Sequence, residues 1–122
     1  MPYSTVGKNL MLDALRGTNP TVAIAYASLH TASPGDTGAN EVTGGSPAYA
    51  RKAITMAAAS AGAIAASSQP VFDIPGSTTI THVGFWSAVS GGTFLGNADV
   101  TDETFASQGT YTLTSTVLDL NL

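Results

Sequence analysis

The apolar positions change period near residue 20. Before it, Val6, Leu10 and Ala14, with Met11 and Leu15 beside them, recur at helical spacing. Ser4 stands where an N-cap hydroxyl would accept a free amide one turn on. Arg16 suits the negative end of a helix dipole, and Gly17 and Asn19-Pro20 close the segment. The pattern predicts a helix over residues 4–16. From residue 21 the period is two. TVAIAYASLHT sets Val22, Ile24, Tyr26, Ser28 and His30 on one face and Ala23, Ala25, Ala27 and Leu29 on the other, as a strand packed tightly on its small-residue side would.

A run dense in Gly, Pro, Asn and Asp follows over residues 32–50 and reads as a long ordered loop. RKAITM resumes strand character. The alanine-rich AAASAGAIAAS fits neither state cleanly, since alanine favours helix while Gly62 and the serines interrupt it. QPVFDI, TTITHVGFWSA and TFLGNADV are strand candidates, with Ser90-Gly91-Gly92 as the hairpin turn between the last two. In TYTLTSTVLDLNL, Leu118, Leu120 and Leu122 fall on the face of Thr112, Thr114 and Thr116, with Tyr111, Leu113 and Val117 on the other. The whole predicts one domain, residues 1–122. It is mostly β, an antiparallel β-sandwich or barrel-like domain over about 21–122, with one N-terminal α-helix at about 4–16.

Charge sharpens this picture. Only 10% of the 122 residues are charged, against roughly 25% in ordinary soluble domains. Mean hydropathy is positive, at +0.19. Such a chain relies on Ser, Thr and Asn for solubility or covers its surface with partners. Lys8, Arg16, Arg51 and Lys52 are the only cations, and the net charge is −4, so no nucleic-acid partner is expected. The absence of cysteine removes disulfides, thiolate metal sites and thiol nucleophiles. The N-terminus lacks the layout of a secretory signal, and no apolar run reaches the ~20 residues of a membrane span. No membrane partner is expected.

Candidate chemistry is sparse. His30 and His82 are the only imidazoles. His82, Asp73 and a serine make a triad only on paper, without a nucleophile elbow or other local signature. Asp102-Glu103 is the only adjacent acidic pair and reads as a solvated turn. Asp36, Asn40 and Glu41 offer oxygen ligands in a glycine-bearing loop, but their spacing is not that of a calcium loop. Asp36 and Asn40 are expected to bond backbone, and Glu41 to pair with Arg51 or Lys52. Phe72, Phe85 and Phe94 read as packing residues, and an exposed Trp86 would be an interface anchor before a sugar platform. No enzyme activity and no cofactor are implied.

The stretch SLHTASPGDTGANEV (residues 28–42), followed by GGSPAYARKAI (residues 44–54), resembles a family of small tailed-bacteriophage virion proteins, usually labelled tail fibre or minor tail protein. The likeness includes the opening helix, with Asn9, Met11-Leu12-Asp13 and Leu15, and the Thr81–Trp86 strand. It implies a place in the virion among other phage proteins and carries over no catalytic residues. Within the particle a tail-associated subunit and a capsid decoration protein compete; a carbohydrate-binding module and a small hydrolase are readings from other classes.

The loop over residues 31–48 exceeds the length at which unstructured connections become uncommon, about 12–15 residues. It is therefore the expected assembly element, ordering against a neighbouring subunit, with Pro34, Gly35, Asp36, Asn40, Glu41 and Pro47 as its key positions. Leu10, Arg51, Lys52 and Trp86 are expected interface residues, and a homo-oligomer is the expected state.

Overall fold

The computed structural model describes residues 3–114 and 116–120. Helix α1 (Thr5–Leu15) starts where the capping pattern predicts: Ser4 Oγ accepts the Gly7 N–H at 3.0 Å. The same hydroxyl donates to the Phe94 carbonyl at 2.7 Å, and the Ser4 N–H to that of Leu95 at 3.0 Å. The cap thus also fastens the helix to the sheet.

Among the described residues eight strands follow: β1 (Tyr26–His30), β2 (Lys52–Ala53), β3 (Ala63–Ala65), β4 (Val71–Ile74), β5 (Thr78–Trp86), β6 (Phe94–Phe105), β7 (Gly109–Thr112) and β8 (Val117–Asp119). All pairings among them are antiparallel. A four-stranded sheet has the order β2-β1-β5-β6, and β3–β8 and β4–β7 form two-stranded sheets. The fold is mostly β with one N-terminal helix, as expected, but it closes no barrel.

The second half of the chain is one long antiparallel ribbon, turned at residues 87–93 and bent twice. β4 pairs with β7, Val71 opposite Thr112 and Ile74 opposite Gly109; β5 then pairs with β6 beginning at Thr78 opposite Phe105. Three residues on each side separate these pairs, so the register passes the corner unshifted. Pro75 has no N–H for a ladder, and Ser77 takes a positive φ of 57°, so the ribbon bends there. At the second bend, Leu113 N–H bonds Pro70 O and Ala66 N–H bonds Thr116 O before β3 meets β8.

The bends fold the ribbon over its own core. Ala27 lies opposite Phe85 and Leu29 opposite Val83, and all four are fully buried with Phe72, Ile74, Ile80 and Leu118. The core thus fills the space between one face of the four-stranded sheet and the shorter ribbons.

Several expectations change. Residues 21–25 are not strand, because the partners of β1 begin to pair at Tyr26. Of RKAITM only Lys52–Ala53 is strand, and the alanine-rich segment resolves into a turn and β3. Asp102 and Glu103 lie within β6, not in a turn. The C-terminal alternation is broken: Leu113 and Leu118 are both buried, because the chain leaves the ladder between β7 and β8 and resumes in the opposite phase. Leu122 lies outside the described residues.

The helix also docks differently from its apolar stripe. Only Gly7 is fully buried, whereas Val6 is 48% and Leu15 85% exposed. A Cβ on Gly7 would stand 2.5 Å from the Leu95 carbonyl oxygen. The backbones touch at this glycine, and beyond it lies an open apolar groove of about 460 Å³, lined by Leu10, Met11, Ala14, Ile24, Ile64 and Leu120 among others. Gly7→Ala therefore has opposite signs in two circumstances. A free helix gains up to about 1 kcal/mol of propensity; the docked helix clashes and loses about 1–3 kcal/mol. We expect a net loss in urea denaturation, and stabilisation would mean that the helix is undocked.

Candidate functional site

The second face of the four-stranded sheet carries Tyr26, Ser28 and His30 on β1, opposite Trp86, Gly84 and His82 on β5. Ser28, His30 and Gly84 are buried, and Trp86 is 8% exposed. What covers this face is the long loop, folded back on its own sheet.

The chain leaves β1 at Thr31, whose N–H bonds Asn40 O at 3.1 Å to close the base of the excursion. Pro34 is buried, and its carbonyl accepts the N–H groups of Gly38 and Ala39. Gly38, at φ +80°, lies against the Trp86 ring; a Cβ there would be 2.3 Å from it. Asn40 holds φ 63° and donates from Nδ2 to Ser33 O. Asp36 accepts the Thr5 N–H at 2.6 Å, adding a carboxylate to the positive end of α1. Glu41 and Val42 then run along β1, with a bridge from Glu41 to His30 and Val42 N–H bonded to Leu29 O.

Beneath the excursion runs a hydrogen-bond chain whose direction is set by its ends. Trp86 Nε1 can only donate, and it reaches Ser28 Oγ at 2.9 Å. The Ala39 carbonyl can only accept, and it lies 2.7 Å from His30 Nδ1. Nδ1 therefore carries a proton, and Nε2 accepts from Ser28 Oγ at 2.7 Å. Burial lowers the His30 pKa below its usual 6.5, against smaller raising effects from the Ala39 carbonyl and Glu41. Gly84 makes room for the chain, since a Cβ there would sit 2.5 Å from Ser28 Oγ and 2.6 Å from His30 Nε2.

Arg51 ties the far end of the loop. Its Nε and Nη2 each reach a Glu41 oxygen at 3.0 Å, and Nη1 donates to the carbonyls of Ala88 (3.1 Å) and Gly91 (2.9 Å) in the β5–β6 turn. The guanidinium carbon stands 3.6 Å from the Trp86 ring centroid. Tyr49 stacks on Phe72, donates to Glu41 at 2.8 Å and accepts the Leu29 N–H at 2.9 Å. Burial, with Glu41 adjacent, raises the Tyr49 pKa far above its usual value. Gln108 braces the other side, accepting from Ser46 N–H and donating to Pro47 O.

These contacts revise several expectations. The loop orders against its own sheet and adds Val42, Pro34 and Tyr49 to the packing. Arg51, with its side chain 10% exposed, and Trp86 are committed inside the subunit and are not free interface residues. Glu41 takes Arg51, and Lys52 makes no ion pair among the described residues. Leu10 and Lys52 are half-buried, Leu10 in the apolar groove and Lys52 at the sheet edge. Gly35 and Pro47 are exposed.

The paper triad is not assembled. Asp73 sits on β4 opposite Thr110. His82 Nε2 meets Asp99 at 2.9 Å, with Asp99 87% exposed, while its Nδ1 lies 2.8 Å from Thr81 Oγ1. His30 has a serine partner and a backbone carbonyl where a triad needs a carboxylate. Among the described residues no group of three or more His, Cys, Asp or Glu could hold a metal.

A family model described as podophage GP4 fiber I protein gp80 matches residues 2–121. The chain belongs to this family. It is a phage tail-fibre-type structural protein and a component of the virion. No curated protein matches the chain. In this fiber I family member Ser28, His30 and Trp86, buried, and Glu41, Tyr49 and Arg51, half-buried, form one hydrogen-bonded knot. Of these, Ser28 and Tyr49 carry no local sequence signal of their role. Tyr49, a large aromatic at the exit of a glycine-rich loop, is the nearest to one.

The knot predicts asymmetric mutational costs. Arg51→Ala leaves Glu41 without its cation and two turn carbonyls without their donor and is expected to cost about 3 kcal/mol. Arg51→Lys keeps the charge but loses the two-point grip and is expected to cost more than 1 kcal/mol. A loss within 0.5 kcal/mol for both in chemical denaturation would mean that the pair is not structural.

Proposed function

We propose that this chain is a non-enzymatic subunit of the phage tail that joins copies of itself or neighbouring virion proteins through the outer surface of the loop over residues 31–48. The observation that carries the reading is the loop's two-sidedness. Its inner atoms are spent on the sheet through Pro34, Gly38, Ala39 and Glu41, while Thr31, Ala32, Ser33, Gly35 and Thr37 face outward. A loop immobilised from beneath presents small polar side chains and backbone at low ordering cost, which favours binding. The fibre family supports placement on the tail over the capsid. Nothing in the site favours a carbohydrate platform, since Trp86 is covered by Gly38 and Arg51. Nucleic acid is not a partner in this reading, because Arg51 is consumed internally and three cations remain.

Because the loop shields the sheet, excising it would damage the subunit, so the test alters its outer surface alone. Ala32→Arg with Thr37→Arg should leave stability within about 0.5 kcal/mol, as exposed substitutions do. Incorporation into particles, measured by gel stoichiometry after complementation, should fall at least about tenfold, the equivalent of 1.4 kcal/mol. Normal incorporation with normal stability would refute the loop as the contact surface.

A further inference from the structure

We infer that His30 is an acid-sensitive latch: neutral, it holds the tip of the loop over residues 33–40 against the sheet, and proton uptake releases that tip while the core stays folded. This goes beyond the assembly reading and does not depend on what the loop touches.

The geometry accepts only one form of the ring. Nδ1–H is used by Ala39 O, and Nε2 must be bare to take the Ser28 proton. A second proton on Nε2 would face Ser28 Oγ, which already accepts from Trp86 Nε1. The serine proton would then need a new acceptor in a space closed by Gly84 and Phe94. The charged groups around the ring do not rescue the cation. Glu41 favours it, but its carboxylate is already held by Arg51; Arg51 and His82 oppose it. On β6, Asp99 is paired with His82 across the ladder.

The segment to be released is separable from the core. Apart from Pro34, the tip over residues 33–40 buries no side chain. Its attachments to the rest of the chain are few: the Asn40 carbonyl takes the Thr31 N–H at the base, the Ala39 carbonyl meets His30, Gly38 lies on Trp86 and Phe94, Asp36 takes the Thr5 N–H, and Pro34 is buried. Lifting the tip brings His30 to water, where its pKa returns toward 6.5. The held state has the lower pKa, so the released state binds more protons below that pH. Latch stability is thus complete above about pH 6.5 and declines on acidification. The open-to-closed ratio rises about tenfold per pH unit until the held ring itself takes the proton.

Hydrogen exchange by NMR on the full chain between pH 7.5 and 4.5 tests this, with the Trp86 indole N–H and the Thr31 amide reporting the loop and the Phe85 amide reporting the core. After correction for intrinsic rates, loop opening should rise about tenfold per unit below pH 6.5 while Phe85 is unchanged. His30→Asn should flatten the rise, and His82→Gln should retain it. Imidazole nitrogen shifts of the wild type serve if His30→Asn does not fold; they should show His30 neutral, protonated at Nδ1, at pH 6.5. The latch is refuted by a flat wild-type profile, by an equal rise at Phe85, by a rise that survives His30→Asn or vanishes in His82→Gln, or by His30 titrating at or above 6.5.

Discussion

A four-stranded sheet has two faces, and this chain has core enough for only one. The other face bears Ser28, His30 and Trp86, all three with polar atoms that cannot be buried unpaired without a cost of several kcal/mol. The loop between β1 and β2 is the cover for that face. Its length, which the connection itself does not require, follows from the area and the hydrogen bonds it has to supply. Arg51 closes the arrangement by joining the loop, through Glu41, to the β5–β6 turn and to the Trp86 ring. Two-point binding of a carboxylate in a partly dehydrated site is stronger and more directional than a surface ion pair. The loop is therefore held in place while His30 is neutral, and its ordered outer surface follows from the chemistry beneath it.

The helix depends on the same face. Its first-turn amides are met by Ser4 and Asp36, and Asp36 belongs to the tip of the covering loop. Its contact with the sheet is made by Gly7 against Leu95. Helix, loop and the start of β6 thus meet near Phe94, whose ring tilts against Trp86 and whose carbonyl takes the Ser4 hydroxyl. At the opposite end, Gln108 in the ribbon corner holds the loop exit through Ser46 and Pro47. The ribbon corner where Ser77 takes a positive φ and the loop exit are therefore one construction, joined through Gln108.

The few charges are distributed accordingly. Arg51 and Glu41 are inside, Asp36 caps the helix, His82 and Asp99 pair across strands, and Arg16 pairs with Asp13. Much of the scarce charge serves the fold, which leaves a surface poor in charge. Such a surface has weak electrostatic discrimination, and contacts made on it rest on shape and backbone hydrogen bonds.

Local chemistry decided what the sequence alone could settle. Ser4 and Gly17 bound the helix because capping needs only adjacent residues; the glycines of residues 90–92 mark a turn because positive φ is a property of one residue; alternation from β1 onward means strands. The family resemblance carried by the loop motif pointed to a virion protein, and the family match agrees. What the tertiary structure decided are the relations between distant residues. The small-residue side of β1 and its other side are both buried, because an 18-residue loop, numbered 31–48, returns to cover the second. Trp86 and Arg51 look like interface anchors in sequence, yet they are internal, 35 positions apart and stacked. Ser28, His30 and Ala39 form a chain only once β1 and the loop are superposed. Periodicity reports which side of an element is apolar; it carries no information on whether a polar side will meet water or be covered by another part of the same chain.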